Sequence, residues 1–135
     1  MGAAVGVGLA LLVSLLARWA GLDRDRAFYP TLLVVIASYY VLFGVIGGSA
    51  HAVLVEAIVM TVFMVMAGVG FKRNLWLVVV ALAGHGLFDL VHGHLVANPG
   101  VPAWWPAFCL AYDVSAAGFL AWLLGRSDGT LQGRP

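Results

Sequence analysis

Charge is what this sequence has least of. Asp, Glu, Lys and Arg make up only 10% of its 135 residues, and they sum to +1. No basic surface can form to meet phosphates, so nucleic acid is excluded as a partner. Cysteine is nearly absent as well. The lone Cys109 excludes an internal disulfide and leaves the redox compartment unread. The sequence has no internal repeat, no second domain and no loop long enough for a soluble catalytic domain. The first apolar stretch has no basic leader region and is long enough to span a bilayer. It is therefore expected to be a membrane helix and not a cleaved signal.

The excess lies on the apolar side. Hydrophobic residues reach 63%, against about 45–50% in soluble domains. The mean hydropathy is +1.02. Five stretches of about 20 apolar residues fall at 2–20, 29–47, 50–70, 75–97 and 104–125, each enough to cross a bilayer. The expected fold is all-α: a polytopic membrane protein with one five-helix domain over 1–126 and a polar tail over 127–135. The breaks carry their own chemistry. "GLDRDRAFYP" is a charged turn ending in Pro30. "GGSA" stops a helix at Gly47 and Gly48 and offers Ser49 as a cap for the next. "ANPGVPAWWP" has three prolines and reads as an interfacial loop. The Gly44-to-Gly48 spacing could bring two helices close, but so near a helix end it is read first as a terminator.

The basic residues set an expected orientation. Arg18, Arg24 and Arg26 surround the first turn, Lys72 and Arg73 the third, and Arg126 and Arg134 follow the last span. Five helices place all of them on one side; four or six would split them. The N-terminus is expected outside and the C-terminus in the cytoplasm, in the inner (plasma) membrane of the cell. Trp104 and Trp105 then mark the outer interface, and Trp76 the inner one.

Against this apolar background, Glu56, His85, Asp89 and Asp113 fall inside the spans, with His92 nearer the outer end of the fourth. A charge at mid-bilayer costs about 2.5–3.5 kcal/mol or more. Such groups must be protonated, paired, hydrated or bound to a cation. At 100° per residue, His85, Asp89 and His92 lie at about 0°, 40° and −20°, one polar stripe on one helix face. His94 falls about 180° away and is expected to be solvated. His85 and Asp113 both lie near mid-depth, roughly 15 Å and 14 Å from opposite ends. Glu56 reaches a depth near Asp89 and His92, with Tyr112, Cys109 and Tyr39 or Tyr40 alongside. His51 shares no face with Glu56 and reads as a capping or interfacial residue. Cys109 and Tyr112 are expected to be ordinary buried residues.

Two imidazoles and several carboxylates on facing helices make a site for a divalent metal, zinc or iron, with His85, Asp89, His92 and Asp113 as ligands. Glu56 and Asp113 are the expected catalytic acids or bases. Without metal, the same groups can move protons, or can form a hydrogen-bonded network that locks helices together.

Three resemblances accompany this reading. The stretches "DRDRAFYPTLLVVIASYYVLF", "AGHGLFDLVHGH" and "NPGVPAWWPAFCLAYD" resemble a family of short bacterial membrane proteins of unknown function. That likeness implies a compact five-helix protein and no particular activity. His85, Asp89 and His92 on one span give a second likeness, to the alkaline ceramidase superfamily, whose members hold zinc with histidines and an aspartate on transmembrane helices. Here Asp89 stands where the second histidine of that family's HxxxH box would be. By architecture alone, Glu56 and His51 in a five-helix chain are similar to the sterol isomerases, where an intramembrane acid moves protons on a lipid. The leading expectation is a hydrolase-like, metal-dependent membrane enzyme acting on a lipid or other apolar molecule. The alternatives are a metal-free, isomerase-like proton-transfer enzyme, and a small transporter or structural subunit. The bilayer is the expected partner, and homo-oligomerisation is left open.

Overall fold

A computed structural model describes residues 1–126. The polar tail over 127–135 and Arg134 lie outside the described residues. The five apolar stretches form five α-helices: α1 Gly2–Ala20, α2 Phe28–Ile46, α3 Ala50–Lys72, α4 Trp76–Leu95 and α5 Trp105–Arg126. All five are long and apolar enough to cross a membrane, so the chain reads as a multi-pass membrane protein. A helix satisfies its backbone polar groups internally, which is the condition lipid imposes on a single spanning segment.

The ends follow the local chemistry. Ser49 caps α3, its side chain accepting from the Ala52 amide at 3.1 Å. Pro30 sits in the first turn of α2, where no helical N–H is lost. Gly48 takes φ +66° and stops α2, as the terminator reading expects. Gly44 does something else. A side chain there would press on the Val53 backbone at 3.0 Å, so this glycine lets α2 and α3 touch. Packing, and not only termination, explains the pair.

Helix order in space differs from helix order in sequence. The first helix packs on α5, α5 on α4, α4 on α3 and α3 on α2, and α2 also reaches α4. No broad contact joins α1 to α2. The bundle therefore has a seam between its first two helices, floored by α5. Its two ends are chemically distinct. Every Lys and Arg among the described residues lies at one end. There Arg26 donates to the carbonyls of Phe71 at 2.7 Å and Gly70 at 3.2 Å, tying the first turn to the end of α3. The Arg126 guanidinium lies 4.8 Å above the Trp122 ring. At the opposite, aromatic end, Trp105 packs on Tyr39 and Phe43, with ring centroids 5.1 and 4.9 Å away.

The interior is where this bundle is polar. Glu56, His85, Asp89, His92 and Asp113 are all at most 2% exposed, while long apolar side chains such as Leu54, Leu87 and Leu90 point outward. Buried ionisable groups among outward-facing apolar ones is the pattern expected of a solvent made of lipid.

Candidate metal centre

Two helices each contribute two residues one turn apart: His85 and Asp89 from α4, Cys109 and Asp113 from α5. Spacing of i and i+4 stacks each pair on one helix face. Gly86 lets the two faces meet. A Cβ there would lie 3.1 Å from Asp113 Cβ and 3.2 Å from the Leu110 carbonyl. The result is a group of four buried side chains whose ligand atoms all lie within 4.8 Å of one another. His85 Nδ1 is 2.6 Å from Asp113 Oδ2 and 3.8 Å from Asp89 Oδ2. The Cys109 thiol points at Asp113 Oδ2 from 3.7 Å. Tyr40, from α2, donates its hydroxyl to Asp89 Oδ1 at 2.5 Å. The Phe63 ring stands edge-on to His85 at 4.8 Å.

Two oxygens of this group, Asp89 Oδ2 and Asp113 Oδ1, are buried and have no hydrogen-bond partner. That matters because a buried carboxylate oxygen without a partner loses its hydration with nothing in exchange. The four side chains could hold a divalent cation, which would give these oxygens a partner. The donor set of one nitrogen, one sulfur and two carboxylates suits a borderline metal such as zinc or iron; with Cys109 ligating as the thiolate it carries one negative charge beyond the ion's two. Bonds of about 2.0–2.3 Å in tetrahedral geometry put neighbouring ligand atoms about 3.3–3.8 Å apart. The separations of 3.8 and 3.7 Å already lie near that range. The His85–Asp113 contact of 2.6 Å is a hydrogen-bond distance and must widen to admit an ion.

The expected single cluster is in fact two. His92 does not join His85. Its Nε2 is 2.6 Å from Glu56 Oε1 on α3. The correction has a simple cause: seven residues on a helix are two turns, a rise of about 10.5 Å, so a shared face does not give a shared ion. Glu56 likewise faces His92 and not the metal group. Asn98, from the loop after α4, donates to Glu56 Oε1 and to the Tyr40 carbonyl, both at 3.0 Å. The Tyr40 ring stacks on His92 at 4.0 Å. Tyr40 thus touches both groups, its hydroxyl in one and its ring in the other.

No family model, no curated protein and no solved structure matches the chain. The remaining assignments come from position. His51 and His94 are exposed. Tyr112 is buried one residue before Asp113, on the wall of a cavity that Cys109 also lines. Cys109 and Asn98 carry roles that the sequence reading did not give them. The repeated i, i+4 spacing, His85–Asp89 opposite Cys109–Asp113, was the available signal for the first. A third polar spot lies at the basic end, where buried Asp23 has Arg18 at 3.6 Å. Its oxygens also lack hydrogen bonds, but a guanidinium at the rim already balances the charge.

Proposed function

We propose that the chain is a metal-dependent, hydrolase-like enzyme of the membrane, acting on a lipid or other apolar molecule. The ion is held by His85, Asp89, Cys109 and Asp113. The observation that carries this reading is the pair of buried, unpartnered oxygens on Asp89 and Asp113 inside a group of four ligand atoms. When bound, a divalent ion would supply Lewis acidity and could lower the pKa of a coordinated water, which requires a fifth position beside these four ligands, or release of one of them, because a closed tetrahedral site leaves none. The protein's own residues fix the site. Tyr40 anchors Asp89 through its hydroxyl, and such outer hydrogen bonds orient metal ligands. Cys109 stands on the side open to an apolar cavity, which makes it the ligand facing an incoming molecule. The likeness to the alkaline ceramidase superfamily belongs to this reading, as does a plasma-membrane location with the basic end in the cytoplasm.

Metal analysis of the purified protein tests it. About one zinc or iron per chain is expected in wild type, lost in His85→Ala and in Asp113→Ala and kept in His92→Ala. Wild type that carries no metal, and takes up none when titrated with zinc or ferrous iron, would sink the proposal.

One observation favours a second reading. The 2.6 Å contact between His85 and Asp113 is already a complete proton-sharing dyad. In a metal-free proton-transfer enzyme this dyad moves the proton, and Glu56 with His92 forms a second proton-carrying pair. Turnover would then be insensitive to chelators and lost in Asp113→Asn.

A further inference from the structure

The seam between α1 and α2 contains a cavity of about 280 Å³. Its lining is graded. Leu9, Val35 and Tyr39 at the mouth are between 37% and 45% exposed, while Ile36, Cys109 and Tyr112 at the floor are 7% exposed or less. In a membrane-spanning bundle those mouth residues face acyl chains, so the cavity opens sideways into the bilayer. It does not end at its own floor. A second hollow of about 360 Å³ lies further along α2: it shares Leu32 and Val35 with the first, passes Thr31 and Phe28, and is also lined by Leu22, Asp25 and Ala27 of the first turn. From Tyr39 to Phe28 the helix rises about 16 Å, close to the roughly 15 Å of one leaflet's hydrocarbon, half of a 30 Å core.

The lining is mainly apolar, with Tyr39, Tyr112, Cys109 and Trp105 as its residues that carry polar atoms. The Trp105 indole N–H is buried and has no hydrogen-bond partner. An indole nitrogen can only donate, so what belongs opposite it is an acceptor. Cys109 lies one helical turn further in, about 6 Å along the axis. It is both a wall of the cavity and a member of the metal group.

We infer that the α1–α2 seam binds one acyl chain of an ester-linked membrane phospholipid. The ester carbonyl accepts from Trp105 Nε1, and the methylenes below it pass Cys109 and run down α2. As a substrate site this rests on the metal-dependent reading above; as a lipid-chain site it stands on the cavity alone. The acyl chain suits the mainly apolar lining from Tyr39 to Phe28, and its ester carbonyl is an acceptor for the unpartnered Trp105 donor.

Photocrosslinking decides the matter. The protein is reconstituted in phosphatidylcholine vesicles doped with phosphatidylcholine bearing a diazirine a few carbons below the carbonyl. After illumination, adducts are mapped by mass spectrometry. Adducts are expected on the Ile36 and Cys109 segments, enriched about tenfold over Leu54 and Ile58, the equivalent of about 1.4 kcal/mol. Leu54 and Ile58 lie on the outer face of α3 and are 63% and 60% exposed, so passive lipid contact would label them at least as well. Leu9→Trp fills the mouth and should remove the enrichment. Trp105→Phe keeps the ring and removes the donor. Wild type should prefer the ester probe over an ether-linked probe of the same length, and Trp105→Phe should not. Equal labelling of the seam and the α3 face overturns the inference. So does unchanged enrichment in Leu9→Trp, or an ester preference that survives in Trp105→Phe. Asp89→Asn separates the two proposals, because it should lose metal and keep the seam adducts. Seam adducts in a wild type that binds no metal support the lipid site and sink the enzyme; metal without seam enrichment does the reverse.

Discussion

His85 and His92 lie on one face of α4, two turns apart, and each meets a carboxylate across 2.6 Å. Their surroundings are otherwise opposite. Around His92 no side-chain N or O atom is both buried and unpartnered: Glu56 Oε1 also accepts from Asn98, and the Tyr40 ring covers the imidazole. Around His85 the hydrogen bonding stays open, with two buried carboxylate oxygens left without hydrogen bonds. A closed buried network fixes structure and has little capacity left for a ligand. An open one is costly unless something completes it. The difference gives the two groups separate roles under the metal-dependent proposal: the His92 group ties α3, α4 and the loop after α4 together, and the His85 group is the one that could hold an ion.

The largest effect should come from breaking the closed group. Glu56→Ala leaves His92 buried without its partner, and about 3–5 kcal/mol of stability should be lost. Thermal unfolding in detergent measures this. Replacing both partners, Glu56→Leu with His92→Leu, should recover much of the loss, since apolar pairs of similar size often replace buried ion pairs without cost. A double variant no better than the single would show that the pair does more than clamp.

Breaking the open group should look different. His85→Ala is expected to remove bound metal while the protein still folds, because it deletes a ligand from a site whose oxygens were already unpaired. Metal content and the unfolding midpoint, read on the same sample, separate the two behaviours. Unfolding as severe as in Glu56→Ala would erase the distinction between the histidines.

Smaller changes sharpen it. Tyr40→Phe keeps the ring on His92 and removes only the hydroxyl on Asp89. Metal affinity should fall about 10- to 100-fold, the usual cost of losing an outer hydrogen bond to a ligand, with little change in stability. Competition with a chromogenic chelator gives the number. Equal affinity would detach Tyr40 from the metal group. Asn98→Ala should cost about 1–3 kcal/mol in stability and nothing in metal, since it strips one donor from the closed group alone. Metal loss there would join the two groups again.

These contrasts show where the sequence is readable and where it is not. Long apolar runs and breaker residues place all five helices within a few residues, because in lipid the backbone has little alternative. The facing of His85, Asp89 and Asp113 toward one another follows from helical angle and the cost of lipid-exposed charge. The grouping does not follow, because angle without rise put His92 beside His85. Cys109 entered the site through the rotation of α5 against α4, which Gly86 permits and no single-helix pattern encodes. Asn98 depends on a loop folding back over Glu56, a purely tertiary event.

The attachment of α1 to α5 has a consequence in time. Of these five helices α1 leaves the ribosome first, yet its packing partner α5 is the last of them to be made. About 85 residues separate Ala20 from Trp105, so at roughly 5–20 residues per second α1 waits about 4–17 s for its neighbour. His85 and Asp89 wait less: 24 residues separate His85 from Cys109 and Asp89 from Asp113, roughly 1–5 s at the same rate. Closure of the α1–α5 pair and of the His85 group is thereby deferred to the last of these five helices, and a chain stalled before α5 would hold α1 without its neighbour and His85 and Asp89 without Cys109 and Asp113.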